Sequence, residues 1–397
     1  MKGPFQAVKI TDKVYWVGAI DWDIRDFHGY STTRGTTYNA YLIMADKPTL
    51  IDTVKAPFLD EMMSRVASVI DPKSIRYVVS NHAEMDHSGC LPAALKIIQP
   101  EKVVASPMGV KALQAHFHWD VPVEAAQDGG QLDLGGDRLT FTETRMLHWP
   151  DSMFSYLEGA GILFSNDAFG MHLASSQRFD DETPDWQYEA SKYYANILLP
   201  FSELVLALLA KLAKAGFAPK MIAPDHGPIW RKDTATIVSL WKKWAQQKGS
   251  DKAVVTFDTM WGSTEKLARA CAEGLLAGGA QPVVMPMRSS HRSDIATQVL
   301  EAGALLVGSP TINRQMFPTV ADVLTYLKGL NRKGLIGAAF GSYGWGGESV
   351  KLVSEALTAM GIDTLDALKC QYVPDAAAQE AAYELGRKVA AKMKEKL

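Results

Sequence analysis

Apolar and polar positions in the first fifty residues alternate with the period of strands. Residues 7–10, 14–17, 38–43 and 49–52 carry this pattern, and it predicts an antiparallel meander. Over residues 58–70 the apolar spacing lengthens to that of a helix, with Leu59, Met62, Val66 and Ile70 on one face. Tyr77-Val78-Val79-Ser80 then reads as a buried strand, Leu91–Ile98 as a helix and Lys102–Ala105 as another strand. Gly-Gly pairs at 129–130 and 135–136 punctuate further short strands. Strands with helices packed outside predict an αββα sandwich.

The pattern changes at the polar stretch 246–251, which predicts a first domain over 1–249 and a second over 250–397. Beyond it, apolar strands at 253–257, 304–308 and 335–340 alternate with helices at 265–276 and, at the end, 376–397. That is the rhythm of a doubly wound parallel sheet, so both halves are α/β. Three loops follow the three strands. Thr259, Met260, Gly262, Ser263 and Thr264 form a hydroxyl-rich turn at a helix start, suited to a phosphate. Ser309, Pro310, Thr311, Ile312 and Asn313 make the second loop, and Gly341, Ser342, Tyr343, Gly344, Trp345 and Gly346 the third. Their glycines let backbone approach a flat ring, and Tyr343 and Trp345 offer aromatic faces. The first turn is neither a Gly-x-Gly-x-x-Gly nor a Lys-bearing phosphate loop, which argues against a dinucleotide or ATP there.

Composition narrows the partners. Lys+Arg 41 against Asp+Glu 44 gives a net charge of -3 with no long basic run, so nucleic acid is not an expected partner. The amino terminus lacks the apolar core of a signal peptide, and no apolar stretch is expected to reach bilayer length; the expected location is cytoplasmic, with no membrane partner. Three cysteines form no Cys-x-x-Cys pair, which leaves no zinc-knuckle, iron–sulfur or rubredoxin-type site; Cys90 reads as a buried structural thiol.

The densest chemistry is Asn81-His82-Ala83-Glu84-Met85-Asp86-His87-Ser88-Gly89. Alternation along an extended segment points His82, Glu84 and Asp86 the same way. Three more donors, His148, Asp167 and His226, stand where apolar runs give way to loops. Strand ends on one edge of a sandwich share a rim, so all seven can meet in one cavity, and seven donors exceed what one metal needs. Burying such carboxylates without a cation costs several kcal/mol per group. His28, His116, His118, His172 and His291 lack carboxylate company and read as surface residues or as supports behind the ligands.

These motifs, with Leu147-His148-Trp149-Pro150-Asp151-Ser152-Met153, Asn166-Asp167, Asp225-His226-Gly227 and the three loops in order, resemble the flavodiiron proteins over nearly the whole chain. The resemblance implies a metallo-β-lactamase-like domain carrying two non-haem irons, followed by a flavodoxin-like domain binding FMN. It implies one iron on His82, Glu84 and His148, the other on Asp86, His87 and His226, and Asp167 bridging; His87 is the ligand left open. It also implies the minimal class without fused modules, reduction of dioxygen or nitric oxide, an external electron donor such as rubredoxin, and a head-to-tail homodimer or dimer of dimers. Trp149, Tyr193 and Phe27 are expected to wall the substrate pocket. The competing expectation is a binuclear hydrolase of the glyoxalase II or lactamase type with a fused flavodoxin-like domain. Those enzymes favour His-x-His-x-Asp-His, whereas Glu84 stands here at the second His.

Overall fold

A computed structural model of the chain describes residues 3–396; Met1, Lys2 and Leu397, at the ends of the expected amino-terminal segment and final helix, lie outside the described residues. Contacts divide the chain into two compact units. One comprises Met1–Phe27, Thr32–Tyr193 and Glu203–Lys242, the other His28–Ser31, Tyr194–Ser202 and Lys243–Leu397.

The first unit holds two main sheets. The larger runs Val8–Lys9, Val14–Trp16, Tyr41–Ile43, Thr49–Ile51, Tyr77–Ser80, Lys102–Ala105, Val123–Ala125, antiparallel through Thr49–Ile51 and parallel beyond. The smaller runs Gln131–Asp133, Arg138–Glu143, Met153–Leu157, Ile162–Phe164, Met221–Ala223. Alternation along each strand builds two cores. Tyr41, Ile43, Ile51 and Val79 pack with Phe141, Met153 and Phe164 of the other sheet. Leu42, Leu50 and Val78 face the opposite way, onto Met62, Val66, Leu91 and Leu95 of the helices Leu59–Val69 and Leu91–Ile98. Each sheet thus lays its loop-bearing strand ends beside those of its partner.

Three expectations for residues 1–249 need correction. The run 38–43 is not one strand: Thr36–Tyr38 pairs with Ala19–Asp21 in a separate ribbon, while Tyr41–Ile43 joins the large sheet. The break is at Asn39, whose amide donates to the carbonyls of Pro224 (2.7 Å) and Gly227 (3.0 Å) and accepts from Trp16 Nε1 (2.8 Å), diverting the backbone to hold the 224–227 turn. The ligand stretch is not extended throughout, because Met85–Ser88 closes one helical turn. Its cause is local: the N–H groups of His87 and Ser88 donate to the Glu84 carbonyl, and Ser88 Oγ donates to the Ala83 carbonyl at 2.7 Å. Asp86 therefore leaves the alternation that His82 and Glu84 share. Finally, one helical run, Gln187–Lys214, is long and apolar enough to cross a membrane by length and composition, contrary to expectation. It is composite, with a π turn at Tyr194–Leu198 and a 3₁₀ turn carrying Pro200 at Leu199–Phe201.

In the second unit the order Gln281–Pro286, Lys252–Phe257, Ala304–Ile312, Ile336–Tyr343 is all parallel, with Asp363–Thr364 and Leu368–Gln371 both pairing to the last. This is the doubly wound order whose strand carboxyl ends bind ligands at a switch point. Residues 309–312 and 341–343, expected in loops, continue their strands: Ser309 pairs with Gly341 and Pro310 with Ser342. The strands approach closely there, since a Cβ on Gly341 would collide with the Ser309 carbonyl. The first helix begins at Ser263, two residues earlier than expected.

Candidate functional site

The described His, Asp and Glu side chains converge as two groups, His82, Glu84, His148 and Asp167 in one and Asp86, His87 and His226 in the other, the donor atoms of each group within 4.8 Å of one another. Asp167 faces both groups. Its Oδ2 is 3.3 Å from His82 Nε2 and 3.2 Å from His148 Nε2, and its Oδ1 is 3.2 Å from His87 Nε2 and 3.5 Å from His226 Nε2. Glu84 Oε2 stands 3.3 Å from both imidazoles of its group, and Asp86 Oδ2 is 3.1 Å from His226 Nε2 and 3.3 Å from His87 Nε2. All seven residues named from the sequence are together, and the helical turn at Met85–Ser88 is what sends Asp86 and His87 to the second group. Both oxygens of Asp167, Asp86 Oδ1 and His87 Nε2 are buried with no hydrogen-bond partner. Buried polar groups are rarely left so, and a cation in each group would satisfy them.

The far nitrogens decide which atom of each ring faces inward. His82 Nδ1–H donates to Asp151 Oδ2 at 3.0 Å, and His226 Nδ1–H to the Thr37 carbonyl at 2.5 Å, leaving Nε2 of each as the ligand lone pair. The charges are strongly coupled. Burial by itself would lower the His82 pKa, but the Asp151 and Glu84 hydrogen bonds hold it well above the usual imidazole range. Burial also lowers His87 and His148, but the charges of Asp86 and Asp167 hold His87 at about 10, and the Asp167 and Glu84 carboxylates beside its Nε2 hold His148 at about 9. Asp167 is held well below the carboxylate range, where His87 and His148 overcome its burial. Without a cation, His82, His87 and His148 are therefore kept charged by the carboxylates.

Around these groups stand the expected wall residues. Trp149 packs edge-on to His82 with ring centroids 5.3 Å apart, Phe27 lies 4.9 Å from His172, and Tyr193 lies 5.1 Å from His172 and 6.1 Å from His226. Burial and then the negative field of Asp167 push the Tyr193 phenol well up, while burial and the neighbouring His226 push His172 well down. His172 bonds Thr36 Oγ1 through Nδ1 at 2.9 Å. Sequence reasoning passed over Asp151, Asp225, Thr37 and Asp52 as site residues. Asp151 and Asp225 lie inside the 147–153 and 225–227 motifs, and a carboxylate three residues after His148 or directly before His226 is the signal that singles them out; for Thr37 and Asp52 the sequence holds none.

At the carboxyl ends of the second unit's strands lies a cavity of about 950 Å³, lined by ten of the residues expected there: Met260, Ser263, Pro310, Thr311, Asn313, Ser342, Tyr343, Gly344, Trp345 and Gly346. Thr259, Gly262, Thr264, Ser309, Ile312 and Gly341 do not line it. Three of these stand behind its wall: Thr259 Oγ1 accepts from Gly262 N–H at 3.1 Å, and Thr264 Oγ1 shares a hydrogen bond of 2.8 Å with Ser342 Oγ. Gly262, at a φ of 83°, turns the chain so that the amino end of helix Ser263–Ala277 opens toward the cavity, an arrangement that suits a phosphate. Trp261, Arg314, Glu348, Tyr372 and Val373 also line the cavity and were not anticipated.

A family profile described as ODP family beta lactamase matches residues 36–227, and one described as Flavodoxin matches residues 255–386. A protein of Moorella thermoacetica named nitric oxide reductase is 46% identical over 98% of this chain and 99% of its own. The solved rubredoxin oxygen:oxidoreductase of the anaerobe Desulfovibrio gigas superposes with a TM-score of 0.97 at 45% identity, covering 98% of this chain and 99% of that one. The flavodiiron protein of Giardia intestinalis superposes with a TM-score of 0.95 at 33% identity, covering 100% and 98%. With likeness of this extent over whole chains, and two carboxylate–imidazole groups ahead of a flavodoxin fold, the chain belongs to the flavodiiron proteins, a family of oxidoreductases.

Proposed function

We propose that this chain is a terminal reductase that reduces dioxygen to water, nitric oxide to nitrous oxide, or both, with FMN in the second domain, from about residue 250, relaying electrons to two non-haem irons in the first. The observation that carries the reading is Asp167, one carboxylate facing two ligand groups in a chain that also builds a flavodoxin-type cavity. His82, Glu84 and His148 would hold one iron, Asp86, His87 and His226 the other, with Asp167 shared. Nitrogen and carboxylate donors without sulfur suit iron in both redox states, and Glu84 in place of a histidine tilts the set away from a zinc hydrolase. When bound, the irons supply electrons and open positions to a diatomic substrate.

The chain's own residues prepare that pocket. Tyr193, kept protonated, can donate its hydroxyl proton in a hydrogen bond to an oxygen atom; neutral His172 adds no charge; Phe27 and Trp149 exclude water. On the flavin side, Ser263 and Thr311 would meet the phosphate and Gly344, Trp345 and Gly346 the ring. The names of the Moorella and Desulfovibrio gigas proteins support both substrates and support rubredoxin as the external donor. This sequence holds no Cys-x-x-Cys pair to supply one. We further propose a cytoplasmic head-to-tail homodimer, or dimer of dimers, in which the FMN of one copy serves the irons of the other, without a membrane or nucleic acid. Its support is the cavity rim, where Trp261 is 95% and Trp345 85% exposed; apolar rings so placed favour a partner surface.

The test is metal analysis, a visible spectrum, and oxygen and nitric oxide consumption with rubredoxin and its reductase. About two irons and one FMN per chain with donor-dependent turnover are expected; stoichiometric zinc without flavin would sink the reading. For the dimer, an Asp167→Ala chain is co-expressed with a Thr264→Asp chain and the mixed dimer isolated through two tags. Cross-chain transfer leaves about half of the sites working, and an inactive mixed dimer that still binds iron and FMN refutes it.

A further inference from the structure

A ligand imidazole is held on its metal by whatever its other nitrogen bonds, and such partners are worth about 10–100-fold in metal affinity. His82 and His226 have theirs, Asp151 at 3.0 Å and the Thr37 carbonyl at 2.5 Å. Asp151 is itself fixed by the Ala83 N–H at 2.6 Å. His87 differs. Its Nδ1 faces Asp225 Oδ2 at 3.6 Å, too far for a hydrogen bond. Neither that nitrogen nor either oxygen of Asp225 has a hydrogen-bond partner among the described residues, although His87 is 1% and Asp225 0% exposed.

The backbones on both sides are fastened. The Asp225 N–H donates to the Asn166 carbonyl at 2.8 Å and its carbonyl accepts from Asn39 N–H at 2.7 Å; the His87 carbonyl accepts from Thr53 Oγ1 at 2.6 Å. Only the two side chains are loose. The neighbouring buried carboxylate, Asp52, is engaged by the Asn81 N–H (2.6 Å) and Nδ2 (2.8 Å), so Asn81 gives Asp225 nothing. Two such buried groups thus face each other, each costing about 1–3 kcal/mol as it stands. Closing the gap to hydrogen-bond length needs less than about 1 Å of side-chain movement.

Resting on the diiron reading, we propose that Asp225 is the positioning residue for His87: its carboxylate takes the Nδ1–H when Nε2 binds a cation, and so sets the affinity of the Asp86–His87–His226 group separately from its neighbour. With Nε2 held by a cation the ring is fixed in place and its one remaining proton sits on Nδ1, facing Asp225, so the bond that is open without a cation closes with one. The group whose histidine waits for this closure is the weaker and later to fill, and Asp225 governs how much weaker.

The experiment uses the full chain with FMN bound, stripped of metal by chelation and titrated with cobalt(II) under argon, reading stoichiometry and stepwise affinity from the visible d–d bands. The parent is expected to take up two cations in distinguishable steps. Asp225→Ala should weaken the second step by about 10–100-fold and leave the first within about threefold. Asp151→Ala should weaken the step that belongs to His82 instead. In a His87→Ala background, Asp225→Ala should add nothing, because it acts through that ring. Metal-free Asp225→Ala should resist denaturant at least as well as the parent, since it sheds an unsatisfied buried carboxylate; a merely structural residue would weaken the metal-free fold. Equal weakening of both steps, an unchanged second step, or an additive effect with His87→Ala each overturns the assignment. A parent that takes up fewer than two cations overturns the diiron reading, and the assignment with it.

Discussion

Replacing Asp167 with asparagine tests the shared-carboxylate geometry most directly. The side chain keeps its size, so no cavity opens, but one negative charge disappears and one oxygen becomes an amide that can only donate. Asp167 is 1% exposed, and each of its oxygens stands within 3.5 Å of two ligand nitrogens. Removing one partner from a buried charge cluster costs about 3–5 kcal/mol, and about 1.4 kcal/mol is tenfold in affinity. Metal affinity should therefore fall by roughly 10²- to 10⁴-fold. The loss should be uneven, because the remaining carbonyl oxygen can serve one group while the amide turns its NH₂ to the other. The assay is anaerobic reloading of chelated protein with ferrous iron at graded free concentrations, bound metal per chain by elemental analysis, and flavin absorbance as the control. FMN content should not change, since the flavin cavity is lined wholly by residues of the other unit. Two irons bound within about threefold of the parent affinity would refute the reasoning that Asp167 ties the groups together.

Three further outcomes are expected. Glu84→His should move the donor set toward the hydrolase pattern and depress reductase turnover by orders of magnitude while FMN stays bound; unchanged turnover with rubredoxin removes Glu84 from the ligands. Metal uptake should release protons. His87 at about 10 and His148 at about 9 sit above their usual value, so at pH 8 both are protonated without metal and must lose that proton to bind. Affinity then climbs with pH up to those values, and an indicator dye that reports no proton release on cation binding at pH 8 contradicts the sign. Gly341→Ala forces a Cβ against the Ser309 carbonyl of the neighbouring strand and against Val350 of the helix Glu348–Ala359. It should cost about 1–3 kcal/mol of stability and lower flavin content, and denaturant unfolding identical to the parent would show the strands have slack.

Local order fixed much of this molecule in advance. Tyr77–Ser80, Leu91–Ile98 and Lys102–Ala105 lie where periodicity puts them, because each is apolar enough to be buried whatever it meets. The donor residues were legible as types, since imidazoles and carboxylates crowded after a buried strand have few purposes but a cation. Two kinds of information were absent. One was short-range geometry hidden by periodicity: a single helical turn at Met85–Ser88 moves Asp86 away from His82 and Glu84, and the strands through Ser309 and Gly341 run past where small residues suggest loops. Such choices are made by hydrogen bonds between neighbours that alternation does not record. The other was long-range. Asp151 reaches His82 across 69 positions and Thr37 reaches His226 across 189. A chain read in one dimension names the ligands, but only two sheets packed face to face bring their strand ends to one rim and decide which nitrogen of each ring looks inward, because that depends on the register of strands far apart in sequence.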